Sequence, residues 1–236
     1  MRYNGIEVFY KGSGGVENAI VLLHGWGASS GAMDGIYNYL CRNGKSVYAI
    51  DFPGFGKTDE PPEDWGVYDY ADCAQFVIES LGLVKPVAVG HSFGGRVALI
   101  LAARKKVSKI VLADSAGLKP KISLKKRLAI RRYKAAKRKG KQTENAGSDD
   151  YRALSPSMRK VFVRVVNTHL NSLLPQIDVP ALIFWGKEDK DTPPYMARKL
   201  NKGIKDSGII MLDGAGHFAY AERHDVFNAA VRAFTE

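Results

Sequence analysis

The chain has 236 residues, 45% hydrophobic and 25% charged, enough to build a buried core and too balanced for a disordered protein. Its net charge of +11 is local: residues 119–141 hold twelve cations and no carboxylate, and without those twelve the charge is −1. Cys41 and Cys73 lack metal-ligand or C-x-x-C spacing and read as packing residues of a reduced, intracellular protein.

Taken in order, residues 1–7 carry no apolar signal core, and no later run approaches the roughly 20 apolar residues of a membrane span. A cytoplasmic protein is expected. Residues 7–11 read as a short edge strand and Gly12-Ser13-Gly14-Gly15 as its turn. Ala19-Ile20-Val21-Leu22-Leu23 is a continuous apolar run, as in a strand buried on both faces of a parallel sheet. It ends in His24-Gly25-Trp26-Gly27, a glycine-flanked loop where the backbone N–H of Trp26 can serve as an oxyanion donor. His24 itself reads as a hydrogen-bonded loop residue. A helix over 31–43 and a second buried strand over 46–50 follow. That strand runs into Asp51-Phe52-Pro53-Gly54-Phe55-Gly56, where Asp51 is placed to hold neighbouring backbone N–H groups. The spacing of Tyr70, Cys73, Val77 and Leu81 predicts a helix over 67–81, stopped by Gly82.

The next apolar run, Val87-Ala88-Val89, stops at Gly90-His91-Ser92-Phe93-Gly94, and helical spacing (Val97, Ile100, Leu101) begins at once. This G-x-S-x-G pattern suits a nucleophile elbow: a strained turn projects the Ser92 hydroxyl, and side chains two residues before or after would clash. The start of the following helix offers N–H groups and a positive dipole end to a developing oxyanion. A strand over 109–113 ends at Asp114. Then about sixty residues, 117–179, show helical patterning: Ser123 caps a run with Leu124, Leu128 and Ala135, and a second helix spans 156–174. The polar stretch 140–150 lies between them. Strands over 180–186 and 208–212, a helix ending near 201, and a helix over 219–234 close the chain. The alternation predicts a doubly wound, mostly parallel α/β sheet, with ligands at the carboxyl ends of its strands. The core is assigned to residues 1–116 and 180–236, and a small helical cap to 117–179.

Ser92, an acid near Asp189, and His217 fall at three such strand ends. A serine hydroxyl needs an imidazole to take its proton, and the imidazole needs a carboxylate to set its tautomer. His217 is the natural base, while His91 reads as packed beside the elbow and His169 and His224 as helix residues. For the acid, Glu188, Asp191 and Asp114 remain alternatives to Asp189.

Five motifs, in order, show that the chain resembles the α/β-hydrolase superfamily over nearly its whole length. They are His24-Gly25-Trp26-Gly27, Asp51-Phe52-Pro53-Gly54-Phe55-Gly56, Gly90-His91-Ser92-Phe93-Gly94-Gly95, Trp185-Gly186-Lys187-Glu188-Asp189 with Pro193, and Gly214-Ala215-Gly216-His217. The resemblance implies Ser92 as nucleophile, Asp189 as acid, His217 as base, and the N–H groups of Trp26 and Phe93 as oxyanion donors. It also implies a cap between two late strands. Thr58 stands where members often have Ser, and His224 where Pro is frequent after Glu222. The expected function is hydrolysis of a small or acyl-chain ester or thioester through an acyl-enzyme, with no metal or cofactor required. C–C bond hydrolysis of a ring-cleavage product, or non-catalytic binding of a small molecule, are the alternatives. The basic segment 119–141 reads as a solvated helix face, or as a contact for an anionic carrier or a membrane surface. Tyr133 is the one aromatic among its cations and no nucleic-acid motif is present, which argues against nucleic acid.

Overall fold

The computed structural model describes residues 1–121, 131 and 149–236. Two short strands, β1 (Arg2–Tyr3) and β2 (Ile6–Glu7), pair antiparallel. The main sheet holds β3 (Tyr10–Ser13), β4 (Ile20–Leu23), β5 (Val47–Ile50), β6 (Val87–His91), β7 (Lys109–Ala113), β8 (Ala181–Gly186) and β9 (Ser207–Leu212). Its order is β3-β5-β4-β6-β7-β8-β9, with every pairing parallel except β3 with β5. It is the expected doubly wound α/β sheet.

The central strands alternate their side chains between two cores. On β4, Ile20 and Leu22 face one and Val21 and Leu23 the other; on β7, Val111 and Ala113 oppose Ile110 and Leu112. Helices α1 (Asp34–Arg42) and α8 (His224–Phe234) cover the first face through Ile36, Leu40, Phe227 and Val231. Helices α2 (Val67–Ser80), α3 (Phe93–Ala103) and α6 (Tyr195–Gly203) cover the second through Val77, Val97, Leu101 and Ala197. Burial on both faces is why these strands are uniformly apolar in sequence.

Between β7 and β8 lie α4 (Asp149–Ala153), α5 (Pro156–Asn167) and a 3₁₀ turn, Asn171–Gln176. The helix expected over 156–174 therefore breaks, and His169 lies outside it. Ser155 caps α5, its hydroxyl accepting from the Met158 N–H at 3.2 Å. The polar stretch 140–150 ends inside α4, at Asp149 and Asp150; its residues 140–148 lie outside the described residues. So does the helix expected from Ser123 with most of the basic segment.

Two further expectations are corrected. The edge strand over 7–11 is displaced: β3 runs through Gly12 and Ser13, because Gly12 lies under the Tyr48 ring, where an added Cβ would stand 2.3 Å from Tyr48 Cδ1. The C-terminal helix is two, α7 (Ala219–Glu222) and α8, separated at Arg223 (φ −125°, ψ 46°).

Candidate active site

The loops that follow β4, β6, β8 and β9 converge at the carboxyl edge of the sheet. Ser92 stands between β6 and α3 at φ 47°, ψ −105°, a left-handed backbone that a serine adopts only under constraint. Its N–H donates to the Ala113 carbonyl at 3.0 Å, and its carbonyl accepts from Gly95 and Ala116 N–H at 3.1 and 3.0 Å. The flanking glycines are required by close approach. A Cβ on Gly90 would stand 2.5 Å from Gly94 C, and one on Gly94 would stand 2.0 Å from the Leu23 carbonyl oxygen.

His217 Nε2 lies 3.0 Å from Ser92 Oγ, and its Nδ1 lies 2.9 Å from Asp189 Oδ2. An ionised carboxylate only accepts, so Nδ1 carries the proton and Nε2 is left to accept from the serine hydroxyl. Burial alone would lower the His217 pKa. The hydrogen bond to Asp189 and the charges of Asp189, Asp114 and Asp191 outweigh it and raise the pKa above the ordinary imidazole value. Burial would likewise raise the Asp189 carboxyl, but hydrogen bonds from His217 and Thr192 hold it below the usual range. Asp189 is buried after β8, its Oδ1 accepting the Asp191 and Thr192 N–H groups at 2.8 and 2.9 Å.

Among the described acids, Asp189 is the one hydrogen-bonded to His217. Glu188 is exposed, and Asp191 contributes its N–H to Asp189. Asp114 is fully buried, and its Oδ1 and Oδ2 accept from Gly186 and Ala219 N–H at 2.9 and 3.1 Å. Burial pushes its pKa up to about 7. Thr192, not singled out in the sequence, completes the cluster: its hydroxyl lies 2.6 Å from Asp189 Oδ2 and 3.3 Å from His217 Nδ1. A hydroxyl three residues after an acid that caps its own turn was the available signal.

The two expected oxyanion donors are backbone groups. Gly25 to Ala28 form a turn closed by Ala28 N–H on the Gly25 carbonyl at 3.2 Å, with Gly27 at φ 76°. A positive φ at the third position is the type II geometry that favours glycine, and it leaves the second residue's N–H, that of Trp26, outside the turn's bond. Phe93 N–H is the first of α3 and has no intrahelical acceptor.

His24 is buried and structural: its Nε2 accepts from Phe52 N–H at 3.0 Å and its Nδ1–H donates to the Gly25 carbonyl at 2.8 Å. Burial lowers its pKa to about 4, so it stays neutral. Asp51 holds Ser30 and Lys57 N–H at 2.6 and 2.9 Å, as expected. His91 packs beside the elbow, and its Nε2–H donates to the His217 carbonyl at 2.8 Å, bracing the loop that carries His217.

A cavity of about 580 Å³ opens above Ser92 and His217, within the range of small-molecule sites. Its walls include Trp26 and Phe93 of the core and Phe162, Val165 and Val166 of α5. Asp189, Asp191 and His217 bring ligand atoms within 4.8 Å of one another, a set that could hold a metal. Both Asp189 oxygens already accept N–H and O–H groups, which fits an acid that orients a histidine better than a metal ligand.

The sequence model of the alpha/beta hydrolase family matches residues 20–230. An AB hydrolase superfamily protein of Bacillus subtilis, YisY, is 27% identical over 248 residues, covering 92% of this chain and 91% of the relative. A pimeloyl-[acyl-carrier protein] methyl ester esterase of Neisseria meningitidis is 28% identical over 246 residues, covering 92% and 93%. Among solved structures, a bromoperoxidase from Bacillus anthracis superposes with a TM-score of 0.79 at 22% identity, covering 97% of this chain and 95% of that one.

Proposed function

The chain belongs to the alpha/beta hydrolase family, and from that premise we propose that it is a serine hydrolase cleaving a carboxylic ester or thioester of a small or acyl-chain substrate. The observation that carries the reading is the unbroken chain Ser92 Oγ, His217, Asp189, with separations of 3.0 and 2.9 Å, opening on one cavity. An esterase among the relatives supports an ester as the substrate.

Ser92 Oγ attacks the substrate carbonyl while His217 Nε2 takes its proton. Asp189 stabilises the imidazolium that results. The tetrahedral oxyanion is held by the N–H groups of Trp26 and Phe93, the second at the positive end of α3. His217 then protonates the leaving alcohol or thiol, and an acyl group remains on Ser92. Water, deprotonated by the same imidazole, releases the acid and restores the serine.

Residues 149–176, with α5 over the cavity, serve as the described part of a cap that shapes the acyl pocket. A panel of p-nitrophenyl esters from acetate to palmitate, run beside Ser92→Ala, tests this. Turnover that peaks at one chain length and disappears in the variant is expected. Turnover that persists in Ser92→Ala would assign the hydrolysis to another group.

A further inference from the structure

Arg96 is an unusual wall for such a cavity. It stands on α3, four residues beyond Ser92, and both line the same space. It is only 7% exposed. Its Nη1 donates to the Val165 and Thr168 carbonyls at 3.1 and 2.7 Å, at the end of α5. Its Nε and Nη2, the edge that matches both oxygens of a carboxylate, have no partner among the described residues. Burial lowers its pKa to about 10, so it remains charged at neutral pH, and no carboxylate among the described residues offsets it.

The other charges are arranged to match. Partial desolvation, then the cations Arg96 and Lys119, hold the His169 imidazole below its ordinary pKa. Asp191, the acid among the described residues that line the cavity, lies beside His217 instead. A leaving group protonated by His217 must depart on that side. The acyl part then lies away from His217, in the space that Arg96 and α5 also line.

We infer that Arg96 is a specificity-determining residue that binds a carboxylate at the far end of the acyl group. The substrates are then half-esters or half-thioesters of dicarboxylic acids, and this deepens the serine hydrolase reading on which it rests. Two neutral carbonyls leave a desolvated cation with unused donors, and a substrate carboxylate on the free edge accepts from Nε and Nη2 together.

The test is binding of monomethyl adipate and dimethyl adipate to the Ser92→Ala protein by calorimetry, repeated with Arg96→Gln and Arg96→Lys added. The monoester is expected to bind about tenfold tighter than the diester, a preference that Arg96→Gln removes and Arg96→Lys keeps in part. Equal affinity for the two ligands, or an equal loss of both in Arg96→Gln, would overturn the inference and leave Arg96 as a strut to α5. Thermal melts of each variant show whether a loss reflects folding. Because this reads binding alone, it stands apart from hydrolysis: absence of turnover and of fluorophosphonate labelling in the Ser92 protein would remove the enzyme reading separately.

Discussion

In the proposed mechanism the Ser92 hydroxyl is a weak nucleophile until His217 takes its proton, and His217 depends in turn on Asp189 for its tautomer and charge. In Asp189→Asn the amide oxygen can still accept the Asp191 and Thr192 N–H groups, so the loop should keep its shape. The amide NH₂ would then face His217 Nδ1, forcing the proton onto Nε2, where it cannot accept from Ser92. A fall in kcat of about 10⁴-fold with an unchanged melting curve is expected, and near-normal turnover would refute the assignment. The pH profile adds a second reading. The raised His217 pKa places the acid limb of kcat/KM above the ordinary imidazole value, because protonated His217 cannot act as base. Removing the Asp189 charge should move that limb downward in whatever activity remains.

At the scale of elements, Asp114 joins three pieces of chain. It follows β7, one oxygen holds Gly186 N–H at the end of β8, and the other holds Ala219 N–H at the start of α7, two residues beyond His217. It braces the loops that carry Asp189 and His217 without touching either ring or carboxylate. Asp114→Asn offers one acceptor where two donors wait, so a loss of about 1–3 kcal/mol in a urea melt is expected. A stability equal to wild type would show that the brace is dispensable. The elements themselves were largely legible: the apolar runs at 19–23, 87–89 and 109–113 and the glycine-bracketed Ser92 lie where the pattern put them. What the pattern lacked was set by tertiary contacts. Asn167-Thr168-His169 contains no glycine or proline stop, and α5 ends there with Arg96 on the Val165 and Thr168 carbonyls and Leu170 N–H on the Gly117 carbonyl at 2.8 Å. Likewise Gly12 reads as a turn until the Tyr48 ring is placed over it. The Ser92, His217 and Asp189 set was readable because each member sits at the end of an apolar run. Arg96 was not, because its partners, the Val165 and Thr168 carbonyls, are distant in sequence.

For the whole molecule, two buried histidines link stability to pH. Burial lowers His24 to about 4 and His91 to about 3, whereas the unfolded chain titrates near the ordinary value of 6.5. Below pH 6.5 the unfolded state therefore binds protons that the folded state refuses, and stability is lost as pH falls toward 4. Asp114 opposes this, since its raised pKa means the folded state gains a proton first and is favoured as pH falls. A difference measurement separates them. Between pH 7 and pH 5 the His24 contribution is about 2 kcal/mol, and His24→Gln should show that much less acid sensitivity than wild type in urea melts. Identical slopes would mean that His24 is not held neutral. Among the described residues no helix is long and apolar enough to cross a membrane. The +11 charge, concentrated in residues 119–141, lies mainly outside the described residues.

The proposed hydrolysis requires Ser92 to be an activated nucleophile, and peptide mapping by mass spectrometry after reaction with a fluorophosphonate is the direct test. A single adduct on Ser92, formed quickly in the wild type and abolished in His217→Ala, is predicted. An unlabelled protein, or an adduct on a different serine, would contradict it and favour a non-catalytic binding role for the cavity.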